Sequence, residues 1–130
     1  MPKQAIIPAP LQAAVEKLNM SPAVLSGDHM FFTGVTGSNA DGHMPTDPET
    51  QFRCAFDKID QVLDAANLPF DAIVEMTSYH VGLRGHFDLF DAVRLDYFNA
   101  PYPAWTAVEV AGLRREGALV EIRVVAYTKG

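Results

Sequence analysis

An α+β fold, one mixed sheet with two helices on one face, is what this sequence predicts, and three observations carry the prediction. Apolar residues recur at helical spacing in two long stretches, Phe52 to Ala66 and Phe87 to Phe98. The other apolar runs are short, β-branched or aromatic, and bounded by Gly, Pro, Asn or Asp. Along the chain the order is strand, strand, helix, strand, helix, strand, strand, which suits a two-layer sandwich. With 130 residues, 48% of them hydrophobic, the chain is expected to build one core and a single domain over 1–130.

The first element is AVLSGDHMFFTGVTG (23–37), with two apolar pieces about Gly27-Asp28, a dipeptide suited to closing a hairpin; two antiparallel strands are expected there. SNADGHMPTD (38–47) is polar and dense in turn formers and reads as an exposed loop. Thr46 or Asp47 then offers a side-chain oxygen as N-cap, and Pro48 suits the first helical turn. From there Phe52, Ala55, Phe56, Ile59, Val62, Leu63 and Ala66 share one face of a helix that stops near Asn67. DAIVEMTSYHVGL (71–83) is expected to be a strand covered on both faces. Phe87, Phe90, Arg94, Tyr97 and Phe98 mark the second helix, ending before Asn99-Ala100-Pro101. Two strands follow, YPAWTAVEV (102–110) and ALVEIRVVAY (118–127), joined by GLRREG.

Two helices cover only one face of such a sheet, and a chain this short has no third layer. Strands 71–83 and 118–127 are too apolar on both faces to leave one to water, so a second copy of the chain is the expected cover and any cleft is expected where subunits meet. A net charge of −6 without a cluster of Lys or Arg argues against a nucleic-acid partner. No run of about 18 apolar residues suggests a membrane span, and the first residues lack the pattern of a secretory signal. The single cysteine, Cys54, has no internal disulfide partner, which together with the missing signal suggests a cytoplasmic protein. His29, His43, His80 and His86 are spread without zinc-like spacing, so no metal is expected.

Chemistry-bearing residues are few. Val120, Ile122 and Val124 alternate as core positions, which turns Glu121 to the opposite, cleft side of its strand; an ion pair with Arg123, or with an arginine of another subunit, is the competing reading. His80 titrates near neutral pH and lies in an apolar strand, where it can serve as a proton donor beside Glu121 or as a hydrogen-bonded core histidine. Trp105, the single tryptophan, stands at a strand entrance after Pro101 and Pro103 and can line a cleft or fill a core. Gly34 marks a place where backbone comes close to another group.

FFTGVTG (31–37), the helix after DPETQ (47–51), IVEMTSYHVGL (73–83), YPAWTAVEVAGL (102–113) and VEIRVVAY (120–127), in this order and spacing, resemble the RidA (YjgF/YER057c/UK114) family over nearly the whole chain. Trp-Thr-Ala-Val after Tyr-Pro, with Ser-Tyr-His on the central strand, is closer to its YjgH-like branch. The resemblance implies a chorismate-mutase-like fold assembled as a homotrimer, with cofactor-free clefts between subunits that bind small metabolites. It further implies hydrolysis of reactive imines or enamines such as 2-aminoacrylate, with Glu121 at the acidic position that handles water and Trp105, Thr106, Ala107 and Gly34 at positions that touch substrate. Family members with that activity carry an arginine where Trp105 stands, and a tyrosine in or near the place of Ala23. An indole has one N–H and no charge, so it cannot clamp a carboxylate as a guanidinium does. The reading is therefore an imine or enamine hydrolase whose substrate is not 2-aminoacrylate, with a non-catalytic metabolite binder using the same cleft as the alternative.

Overall fold

The computed structural model describes residues 2–129, and its centre is a seven-stranded mixed sheet. In chain order the elements are β1 (Gln4–Ile6), α1 (Gln12–Leu18), β2 (Ala23–Ser26), β3 (His29–Phe32), β4 (Val35–Thr36), α2 (Pro48–Ala65), β5 (Ile73–His80), α3 (Leu83–Arg94), β6 (Ala104–Glu109) and β7 (Val120–Tyr127). The strands lie in the order β1-β2-β3-β7-β5-β6, with β4 also paired to β7. All pairings are antiparallel except β5 with β6, which run parallel because α3 lies between them in the chain and carries it back along the sheet.

Local chemistry explains most boundaries. Gly27, at φ +61°, opens the two-residue turn of the β2–β3 hairpin, the position where a hairpin turn of this length favours glycine. The Asp47 carboxylate caps α2, accepting from the Thr50 backbone N–H at 3.0 Å and from the Thr50 hydroxyl at 2.7 Å, and Pro48 follows as the first helical residue. Phe52, Ala55, Phe56, Ile59, Val62 and Leu63 of α2 are buried against the sheet together with Phe90 and Val93 of α3. The sheet answers with Met30, Met76, Val120, Ile122, Val124 and Ala126.

The structure corrects the expected element list in three places. A strand and a helix precede residue 23, so there are three helices and not two; Leu11 and Val15, one turn apart, are among the half-buried residues, with Leu11 packed on the core. The second long helix ends at Arg94, four residues short of Phe98. Tyr97 and Phe98 lie beyond it and still pack inward, with Tyr97 stacked on Phe56 at 4.8 Å and Phe98 edge-on to Phe70 at 5.0 Å between ring centroids. Three strands, β2, β3 and β4, lie in 23–37 where two were expected, while in the central strand Ile73, Met76, Ser78 and His80 are buried and Val74, on the face left for a second copy, is 43% exposed.

Candidate active site

Strand register decides which candidate residues can meet. In β7, Val120, Ile122, Val124 and Ala126 point into the helix layer, so Glu121, Arg123 and Val125 point to the open face. The sequence reading of Glu121 is thus matched by its orientation. Glu121 pairs across the ladder with Thr36 of β4 and with Tyr79 of β5, and Tyr79 pairs in turn with Val108 of β6. Cross-strand partners share a face, so Thr36, Glu121, Tyr79 and Val108 form one row over the open side of the sheet. The next row holds Arg123, Thr77 and Thr106, which places Thr106 on the same face.

Gly34 meets Glu121 directly. A Cβ built on Gly34 would lie 2.5 Å from Glu121 Oε2, so only glycine leaves room for the carboxylate at the β3–β4 connection. Glu121 is half-buried, and among the described residues of the chain no cation lies in salt-bridge range of it; of the competing reading, the ion pair with Arg123 does not form.

His80 is not its partner. His80 pairs with Val120 and shares the helix side with it, fully buried, so the sheet separates the imidazole from the Glu121 carboxylate. There His80 Nε2 lies 2.8 Å from Ser78 Oγ and Nδ1 lies 3.0 Å from His86 Nε2, with the edge of Phe90 against the ring at 4.7 Å. Burial and the neighbouring His86 pull the His80 pKa down to about 4. His86, beside Phe52, is also shifted downward by burial.

Trp105 and Ala107 share that helix side, paired with Met76 and Ser78 respectively. The indole Nε1–H donates to Ser78 Oγ at 2.8 Å. Phe87 stacks on the indole at 5.7 Å with an interplanar angle of 3°, and the Arg94 guanidinium lies 4.4 Å from its ring centroid. Asp91 holds Arg94 through Nε at 2.9 Å and Nη2 at 2.6 Å. Hydrogen-bond accounting gives one assignment in which every group is satisfied: Trp105 donates to Ser78, Ser78 to His80 Nε2, and His80 Nδ1–H to His86 Nε2, with both imidazoles neutral. The half-buried indole is thus fixed from below, from the side and from above.

The six expected site residues therefore fall into two groups within one chain. Glu121, Gly34 and Thr106 belong to the open face; His80, Trp105 and Ala107 belong to the helix face. Ser78, His86 and Arg94, which complete the second group, were not singled out by sequence reasoning as its members. The visible signal was Ser78-x-His80, two polar residues at strand spacing inside an apolar run. No group of three or more His, Cys, Asp or Glu that could hold a metal ion occurs among the described residues. Among them, too, no helix is long and apolar enough to cross a membrane.

Comparison with known proteins adds a third kind of observation. The family model described as Endoribonuclease L-PSP matches residues 11–128. The chain is 38% identical over 125 residues to the RutC family protein YjgH of Escherichia coli (strain K12), covering 95% of this chain and 94% of that one. A solved structure of protein YjgH superposes with a TM-score of 0.90 at 35% identity, covering 100% of this chain and 99% of the other. That of E. coli TdcF with bound serine gives 0.79 at 25% identity, over 85% and 88% of the two chains.

Proposed function

Because the chain belongs to the Endoribonuclease L-PSP family, the family of YjgF and RidA, we propose that it is a cytoplasmic, cofactor-free hydrolase that deaminates a reactive imine or enamine in a cleft between the subunits of a homotrimer. The observation that carries this reading is the Glu121 carboxylate, half-buried at Gly34 with no cation on it. Glu121 takes a proton from a water as the water oxygen bonds to the C=N carbon, and passes that proton to the nitrogen, which restores the carboxylate. The resulting carbinolamine collapses to a carbonyl compound and ammonia. One carboxylate and water suffice for this chemistry, so His80 has no step in it.

The trimer accounts for the open face. Phe31, Val108 and Tyr127 are 39%, 37% and 42% exposed there, an apolar surface that a second copy would cover. It also gives Trp105, on the opposite side of its own sheet from Glu121, a way to meet the Glu121 of a neighbour. The indole favours a substrate with an apolar or aromatic group. Because it replaces a guanidinium clamp, the loss of a charge-assisted pair lowers affinity for 2-aminoacrylate by roughly ten- to a hundredfold, about 1.5–3 kcal/mol. RNA cleavage, the activity in the family description, sits poorly with a net charge of −6.

The test is ammonia and keto-acid release from imines generated enzymatically from a panel of amino acids, aromatic ones included. Turnover is expected for an apolar or aromatic imine, with little for 2-aminoacrylate. Saturable ligand binding without turnover across the whole panel would establish the non-catalytic reading instead.

A further inference from the structure

Away from both groups of residues, α1, α2 and the start of β4 together line a cavity of about 150 Å³ that is open to solvent on one side. Its walls are mostly apolar, with Leu11 just before α1, Val15 from α1, Val35 from β4 and Val62 from α2 among them; Leu18, the last residue of α1, and Met20 just beyond it are 42% and 45% exposed. One basic side chain lines it, Lys58.

Lys58 is unlike the other lysines. Lys3, Lys17 and Lys129 are exposed, whereas Lys58 is half-buried, and among the described residues no carboxylate lies within salt-bridge range of it. Its ammonium donates to the hydroxyl of buried Ser38 at 2.8 Å, leaving two further N–H donors. Cys54 lies one helical turn away on α2. Burial brings the Lys58 pKa down to about 8, against an opposing influence of Cys54 and with a smaller contribution from the cationic Arg115, so at neutral pH the group is still mostly charged. A desolvated cation beside a second cation, with a hydroxyl in reach and no acid to neutralise it, is an anion site awaiting its anion.

We propose that the α1 cavity binds a small monocarboxylic acid with an unbranched or aromatic apolar tail, the tail lying between α1 and α2 and the carboxylate meeting Lys58 Nζ. The tail is bounded by the cavity: about 150 Å³ is the size that in other proteins takes up benzene, so a chain of about six carbons fills it. Anion and apolar tail are both required, because besides Lys58 the walls carry only the hydroxyls of Ser21 and Thr33, and that of Thr33 is already spent on the Ser21 carbonyl. The site is independent of Glu121 and of the proposed hydrolysis.

Hexanoate, hexanol and acetate separate the contributions, with binding followed by calorimetry and by backbone amide shifts of α1. Hexanoate is expected to saturate the site, hexanol to bind at least tenfold more weakly, and acetate not to bind. Lys58→Met should weaken hexanoate at least tenfold and leave hexanol unchanged, while Val62→Trp, which fills the cavity, abolishes both. Glu121→Gln should leave hexanoate affinity unaltered, since the ligand does not occupy the proposed cleft. A thermal melt identifies any variant that fails to fold, and Lys58→Gln then repeats the charge test with a side chain of similar reach. Equal affinities for hexanoate and hexanol, undiminished hexanoate binding after loss of the Lys58 charge, or no saturable binding by the intact protein would each overturn the proposal.

Discussion

The two faces of the sheet, where β7, β5 and β6 run side by side, hold opposite kinds of polar group. On the helix face, Ser78, His80 and the Trp105 N–H are buried or half-buried, joined to one another and to His86, and kept neutral. On the open face, Glu121, Arg123, Thr77 and Thr106 lie in rows with no ion pair between them among the described residues. Polar groups that satisfy each other specify packing; a polar group left without a partner is available to a ligand. The difference teaches that the side of the sheet decides which polar groups a ligand can reach.

Four substitutions or conditions break this comparison, in decreasing order of effect. Phe56 is fully buried among Phe70, Phe90, Tyr97 and Phe98, so Phe56→Ala should cost about 3–5 kcal/mol and lower the melting temperature by 10 °C or more. Ser78→Ala removes the one oxygen shared by Trp105 and His80, and at roughly 1–3 kcal/mol for each group left unpaired it should be read easily by urea unfolding.

Acid tests the same chain of groups. His80 in the folded protein holds off protonation until about pH 4, whereas in the unfolded chain it takes a proton near 6.5. The unfolded state therefore binds more protons across that window, and stability is complete above 6.5 and lost as the pH falls toward 4. The loss attributable to His80 should reach up to about 3 kcal/mol, read as a flatter urea-midpoint profile between pH 7 and 4.5 in His80→Gln than in the parent. The smallest stability effect belongs to the open face. Gly34→Ala forces aside the far end of a flexible side chain and not backbone, so its melting temperature should stay within a few degrees while catalysis falls, because the carboxylate has moved.

How much of this was legible depends on where the alternation is clean. Along β7 the apolar residues at 120, 122 and 124 fixed the face of Glu121 without any knowledge of the fold. The cap at Asp47 and the apolar stripe of α2 were equally plain. β5 misleads, because a register shift between Ile73 and Glu75 changes the parity: Ile73 is buried, and so are Met76, Ser78 and His80. An apolar strand with an irregularity in it does not announce which of Tyr79 and His80 points inward. The bond from Trp105 to Ser78 joins residues 27 apart in sequence, and only the parallel β5–β6 register brings them together. The helix α1 has seven residues and none of them is buried, so no apolar stripe marks it in the sequence.

The central claim, that water is handled on the open face and not by the buried histidine, is tested most directly by rates of ammonia release per folded molecule for Glu121→Gln and His80→Gln, measured side by side on the best imine of the panel. Glu121→Gln should lose at least about a hundredfold in rate while melting close to the parent. His80→Gln should melt lower yet keep a rate within about threefold of the parent when corrected for the folded fraction, an acid–base contribution too small for a catalytic group. A folded Glu121→Gln protein with parental rate, or a folded His80→Gln protein that has lost its rate, would contradict the account.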